Sequence, residues 1–179
     1  RVPVGKLLQQ ARDHEARHRW TIKLEDVGLV FPDGTTGIDG ISLALQSGDL
    51  VGVMGPSGCG KSTLMTLLTG EISPTGGGIR FSSSLGRRPT FALVPQDDIV
   101  FPELTVLENL RYAAALRGRE LTGAPDGGLR PILDSIGLAN KSHLRVGSIV
   151  DKVLSGGQRK RLNIGLELTA TPDGLLLDE

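Results

Sequence analysis

Hydrophobic and polar positions alternate along residues 21–31 and again along 41–46, the period-two pattern of half-buried strands. Residues 50–54 (LVGVM) form a short unbroken apolar run, which predicts a fully buried strand. A glycine-rich turn and a helical stretch over 61–69 follow. The runs 91–94 (FALV) and 174–177 (GLLL) predict two more buried strands. Between them the period lengthens. Thr105 and Glu108 spell a T-x-x-E capping box, and Val106, Leu107, Leu110 and Ala114 then share one helical face. Residues 130–138 (RPILDSIGL) predict another short helix, so 97–153 reads as a helical subdomain inserted into an α/β core. At the start of the chain, residues 6–19 are polar, charge-mixed and free of Gly and Pro, which predicts a solvated linker helix. One stretch stays open on pattern alone. Residues 162–168 (LNIGLEL) alternate strictly, as a strand does, yet a helix would put Leu162, Gly165, Leu166 and Thr169 on one face.

Composition narrows the class. The 179 residues suffice for one domain with a core, and 39% apolar with 22% charged residues is ordinary for a soluble globular protein. Formal net charge is zero, so no global field draws the chain to nucleic acid or to an acidic membrane surface. Cys59 stands alone, which excludes an internal disulfide and fits a reducing compartment. No apolar run approaches the roughly 18–20 residues of a spanning helix, and no signal peptide opens the chain. Arg1 in place of Met, and a stop at Glu179 just past the apolar run 174–177, lead us to expect a fragment. Glycine is abundant, 25 of 179, and clusters at 55–60, 76–78 and 156–157, as where backbone must approach a ligand closely.

The first cluster carries chemistry. Residues 55–63 read GPSGCGKST, which matches G-x-x-x-x-G-K-[ST] between a predicted strand and a predicted helix. In such a phosphate-binding loop, Gly55, Gly58 and Gly60 let backbone N–H groups turn inward, and Pro56, Ser57 and Cys59 complete the loop. The helix N-terminus adds partial positive charge. Lys61 reaches the β- and γ-phosphates, Ser62 offers its hydroxyl to Mg²⁺, and Thr63 follows in the first turn. Cys59 reads as a tolerated small residue, with a redox sensor as the alternative. Farther on, Ser155-Gly156-Gly157 in LSGGQRKR would make a second anion-binding helix terminus. The run GLLLDE ends in two carboxylates, the Walker B pattern, with Asp178 near the metal.

In this order, the phosphate loop, Gln96 after the strand 91–94, LSGGQ and GLLLDE resemble the nucleotide-binding domain of ABC ATPases, over about 21–179. QDDIVFPELTVLENLRYAA and SGGQRKRLNIGLEL are similar to the G (White-type) subfamily and to related bacterial cassettes. Gln158 stands where that subfamily often has Glu. The resemblance implies an α/β P-loop NTPase fold, a RecA-like core sheet with an inserted helical subdomain, cut short at its C-terminus. Its parts would be a linker helix (1–20), a first core part (21–96), the helical subdomain (97–153) and a second core part holding the signature helix and Walker B strand (154–179). It makes 158–170 helix. It implies that Phe31 stacks on adenine, with Trp20 as the other aromatic to consider. Gln96 would sense Mg²⁺ and the transport domains. Ser155, Gly156, Gly157 and Gln158 would meet the γ-phosphate of ATP held by another protomer. Asp178 would hold Mg²⁺ through water, and Glu179 would be the catalytic carboxylate. The family's D-loop and switch histidine follow Walker B, so His14, His18 and His143 cannot fill that role and read as surface residues.

The implied activity is ATP hydrolysis at a dimer interface, with Lys61, Gln96 and Glu179 at the reacting phosphate and Ser62, Gln96 and Asp178 around Mg²⁺. The implied partners are a second nucleotide-binding domain and transmembrane domains, in the same polypeptide, with this domain on the cytoplasmic side of a membrane. No nucleic acid is expected. A soluble ABC ATPase of translation or DNA maintenance and a non-hydrolytic regulatory cassette are the alternatives. With Lys61 and Ser155 so close in sequence, there is no room for the long coiled coil of the DNA-maintenance type. The intact Lys61, Ser62, Asp178 and Glu179 argue against a silent cassette.

Overall fold

The computed structural model describes residues 19–147 and 153–178. The expected helix 6–19, His14, His18, the end of the helical insert at 148–152 and Glu179 lie outside these, Arg19 excepted. The described residues form two compact units, 19–93 with 173–176 and 94–147 and 153–172 with 177–178.

In the first unit, β1 (Trp20–Val30), β2 (Thr36–Gln46) and β3 (Gly76–Ser83) make an antiparallel sheet in the order β2-β1-β3. Alternation along β1 buries Trp20, Ile22, Leu24, Val27 and Leu29 on one face. The step from Leu24 to Val27 breaks the period, because a bulge there shifts the register against both neighbours. Asp26 takes φ +50° at the bulge, and Gly77 opposite takes φ +69°. A Cβ on Gly77 would collide with the Asp26 carbonyl. Gly77 therefore serves a close approach of strand to strand, and the 76–78 cluster lies in β3, where the sequence had suggested a close approach of backbone to a ligand. Helix α1 (Lys61–Thr69) buries Leu64, Leu67 and Leu68 against this sheet.

The predicted strands 91–94 and 174–177 form β4 (Phe91–Val94) and β5 (Gly174–Leu177). They pair with each other and run parallel, since the Gly174 N–H reaches the Thr90 carbonyl (3.2 Å) and the Asp178 N–H reaches that of Val94 (3.0 Å). Two expectations fail here. β5 is only half covered, with Leu177 52% exposed. Residues 50–54 form no strand, and Leu50 and Met54 are 101% and 94% exposed. Apolar side chains set what a segment gains on burial, but a strand also needs a neighbour's hydrogen-bond ladder. Among the described residues none pairs with 50–54.

The second unit is helical. Helix α2 (Val106–Leu116) begins with the predicted capping box: the Glu108 N–H donates to Thr105 Oγ1 (3.2 Å), and the Thr105 N–H donates to Glu108 Oε2 (2.7 Å). Helix α3 (Arg130–Ser135) is shorter than the predicted 130–138, because the chain turns at Gly137 with φ +66°. A 3₁₀ turn (Ala139–Lys141) follows, then helix α4 (Gly156–Leu168). The stretch that alternated is thus helical, and Leu162, Gly165, Leu166 and Thr169 are all buried. A Cβ on Gly165 would lie 2.7 Å from Ile136 Cδ1 and 3.3 Å from Leu110 Cδ2, so the missing side chain lets the helices close on each other. The sequence grouped α4 with the Walker B strand, whereas its apolar face packs into the core shared by Val106, Leu110, Leu129, Leu133 and Leu138.

Candidate functional site

The phosphate-loop motif folds as an exposed loop leading into α1. Gly60 is the N-cap in the left-handed region (φ +92°), with no side chain to cap the helix and no acidic residue in its first turn. A Cβ at Gly60 would run into the Gly37 carbonyl of β2, so backbone packing demands glycine at this position. The helix N–H groups and dipole thus face a loop that offers no carboxylate of its own, a site suited to an anion. Lys61 is half-buried, and its Nζ donates to the carbonyls of Gly55 and Pro56, 2.9 Å each. Its cation is folded onto the loop it belongs to, in contact with two carbonyl dipoles. Cys59 is exposed, with Sγ 3.9 Å from Lys61 Nζ.

The two candidate aromatics are placed differently. Trp20 is only 9% exposed, stacks edge-on with Phe91 at 5.3 Å, and donates its indole N–H to the Asp173 carbonyl (3.3 Å). It is a core residue. Phe31 is 37% exposed at the mouth of the β1–β2 hairpin, whose turn closes by the Phe31 N–H to the Thr35 carbonyl (2.8 Å). A Cβ on Gly37 would meet the Phe31 ring at 2.6 Å and Thr63 Cγ2 at 3.2 Å. The ring therefore lies across Gly37 from the first turn of α1, with open solvent beyond it.

In the second unit the LSGGQ segment starts α4. Ser155 is the N-cap: the Gln158 N–H donates to its Oγ (3.4 Å), and its own N–H donates to Gln158 Oε1 (2.9 Å). The serine and glutamine of the motif are thus a reciprocal capping box, legible as S-x-x-Q but missed in the sequence. Glu in place of Gln158 would make the same box, so this departure from the G-subfamily pattern is conservative. Gly156 and Gly157 are exposed, and a Cβ at either would meet nothing within 4 Å.

Gln96 is exposed just past β4, while its carbonyl accepts from Lys160 Nζ (2.8 Å). Asp178 follows β5 and is half-buried. His143 is exposed, as expected. Among the described residues no cluster of three His, Cys, Asp or Glu could hold a metal by itself. No described helix is long and apolar enough to cross a membrane.

An α/β fold with a glycine-capped helix at a G-x-x-x-x-G-K-[ST] loop defines a P-loop nucleotide-binding domain. The family described as "ABC transporter" matches residues 38–179, and the chain belongs to that family, as its ATP-binding domain. It is 40% identical over 169 residues to the ABC-type transporter claG of Penicillium crustosum, covering 88% of this chain and 22% of that protein. It is 38% identical over 149 residues to the ABC transporter G family member 22 of Arabidopsis thaliana, covering 79% of this chain and 20% of that protein. The chain thus spans about a fifth of these relatives' length. Its fold matches a bacterial Atm1-family ABC exporter solved with ATP bound, with TM-score 0.66 and 24% identity over 89% of this chain and 29% of that one.

Proposed function

We propose that this domain binds Mg-ATP and hydrolyses it between two copies of itself, and that the closing and opening of the pair drives a membrane transporter. The observation that carries the reading is the pair Gly156 and Gly157. Each is exposed with free space where a side chain would be, so nothing described in this chain requires glycine there. Their use is to let a ligand from outside reach the capped N-terminus of α4. A phosphate held by the Gly60-capped helix of another copy fits that use.

In this reading Gly55 to Thr63 cradle the phosphates, and Phe31 stacks on the base. Lys61 exchanges its two loop carbonyls for phosphate oxygens. Ser62 and Asp178 hold the metal, which supplies charge neutralisation at the transferring phosphoryl group. Gln96 and Glu179 orient and polarise the attacking water. Ser155 and Gln158 bring the second helix terminus to the γ-phosphate. Transmembrane domains in the same polypeptide receive the motion, with this domain on the cytoplasmic side. The cation of Lys61 and the dipoles of both helices all favour negative charge developing at one place.

A mixing experiment on the intact protein tests the shared site. Lys61→Ala damages one half of every site and Ser155→Arg the other, so each variant alone fails to dimerise with ATP. In the mixture a heterodimer has one site with both halves intact. ATP-driven dimerisation followed by light scattering returns if the site is shared between chains. A mixture that stays monomeric at saturating Mg-ATP, beside a dimeric wild type, refutes the reading.

A further inference from the structure

The segment 95–99 that carries Gln96 is fastened to the first turns of α4 by side chains the catalytic reading leaves unused. Lys160 Nζ donates to the carbonyls of Gln96 (2.8 Å) and Pro95 (3.3 Å). Arg159 Nε donates to Asp98 Oδ2 (2.9 Å), and Arg159 also donates to the Gly147 carbonyl. Asn163 Nδ2 donates to Asp98 Oδ1 (2.8 Å), while Asn163 Oδ1 accepts the Ile99 N–H (3.2 Å). Each oxygen of Asp98 thus takes one donor from α4. Asn163 is fully buried and the Arg159 side chain is 12% exposed, so the fastening is partly sheltered from water. The same helix begins one residue after Ser155, whose cap box is closed by Gln158. Gln158, Arg159 and Lys160 are consecutive. One rigid helical turn therefore holds the serine cap at its tip and the Gln96 peptide on its side.

The three donors act differently. Arg159 and Asn163 anchor a side chain, that of Asp98. Lys160 holds the main chain of Gln96 itself and leaves the glutamine side chain facing solvent. An ammonium with three donors can serve two carbonyls at once. A backbone carbonyl held by a cation on a helix moves when that helix moves.

We propose that Lys160, supported by the Asp98–Arg159–Asn163 triad, is a positioning residue for Gln96. It couples the phosphate-binding cap at Ser155 to the glutamine, so that the two move as one body. The proposal rests on the roles given above to Gln96 and Ser155. Lys160 touches neither nucleotide nor metal in it. It acts only through the Gln96 peptide.

Lys160→Met in the intact protein keeps the aliphatic stem and removes the donors. We expect kcat for ATP hydrolysis to fall on the order of 10-fold with KM for ATP within about 2-fold of wild type, because Lys160 lies outside the cradle. Lys160→Arg recovers part of the rate. In a Gln96→Ala background, Lys160→Met adds less than about 2-fold, since residues acting as a unit are not additive. A second readout needs no turnover. In the wild type, a non-hydrolysable ATP analogue slows amide exchange at 96–99 and at 156–160 together. In Lys160→Met only 156–160 slows. Equal factors in the two backgrounds, or slowing at 96–99 that survives Lys160→Met, overturn the coupling while leaving the role of Gln96 intact. A Gln96→Ala protein that hydrolyses at the wild-type rate overturns the role of Gln96, and the proposal with it.

Discussion

Phe31 and Asp173 show how single residues acquire a role from their surroundings. Sequence offered two aromatics for the base. Burial decides between their uses: Trp20 spends its ring and N–H inside the core, while Phe31 keeps a face open beside the first turn of α1. Base–aromatic stacking is worth about 1–3 kcal/mol by analogy with single-stranded nucleic-acid sites, so Phe31→Ala should weaken ATP binding roughly 5-fold to 150-fold. Phe31→Tyr should be nearly neutral. Titration with a fluorescent ATP analogue checks both, and an unchanged Kd in Phe31→Ala removes the ring from the site. Asp173 had no marker in the sequence. Burial alone would raise its pKa, but hydrogen bonds from Arg87 (2.7 and 3.1 Å) and from the Thr90 N–H and hydroxyl outweigh that and bring it to about 2. The folded pKa lies below the ordinary aspartate value of 3.8. Its contribution is therefore complete above about pH 4 and is lost as pH falls toward 2. With Arg87 half in water, that contribution should be about 1–2 kcal/mol. Urea midpoints of wild type and Asp173→Asn should differ at pH 7 and converge between pH 4 and pH 2. A constant gap across that range contradicts the assignment.

Elements were legible where one short signal sufficed. The Thr105–Glu108 box starts α2 where the sequence put it, because a cap is made within four residues. The stretch 162–168 was not legible from its pattern, since strict alternation satisfies two periods at once, and only the family resemblance made it helix. Its helix is decided by the Ser155 cap upstream and by Gly165, which meets Leu110 and Ile136 across the helix pair. This gives a graded test. Gly165→Ala gains about 1 kcal/mol of helix propensity and must shift Ile136 slightly, so it should be near neutral. Gly165→Val overpacks the contact and should cost about 1–3 kcal/mol, read as a lower thermal midpoint. Equal stability of the two variants would mean the helices are not closed on this glycine. β3 was missed outright, because three glycines at its start suppress the strand signal that Ile79 and Phe81 carry.

At the scale of the whole molecule, the residues proposed to meet the nucleotide divide between two compact units. The Gly60-capped helix belongs to one, and Gln96, the Ser155-capped helix and Asp178 belong to the other. Each terminus is open to solvent on its own unit. A nucleotide held by two such termini from different chains would convert phosphate binding directly into association, which is the step a transporter needs. The mixing experiment asks that question of the assembly. The Lys160 variants ask how a change at one terminus reaches the glutamine of the same unit.

The sequence by itself determined the nucleotide loop, the signature segment, the Thr105–Glu108 capping box and the family. These are short-range features: a few residues at fixed spacing set the local backbone. Tertiary structure decided what depends on a neighbour. It put Gly77 against Asp26, left 50–54 without a ladder, half-uncovered β5, and packed α4 into the helical core. It also fastened Gln96 to Lys160, 64 positions later in the chain. Hydrophobic pattern states how strongly a segment prefers burial, but ladders, close glycine contacts and long-range donors exist only once a partner is in place.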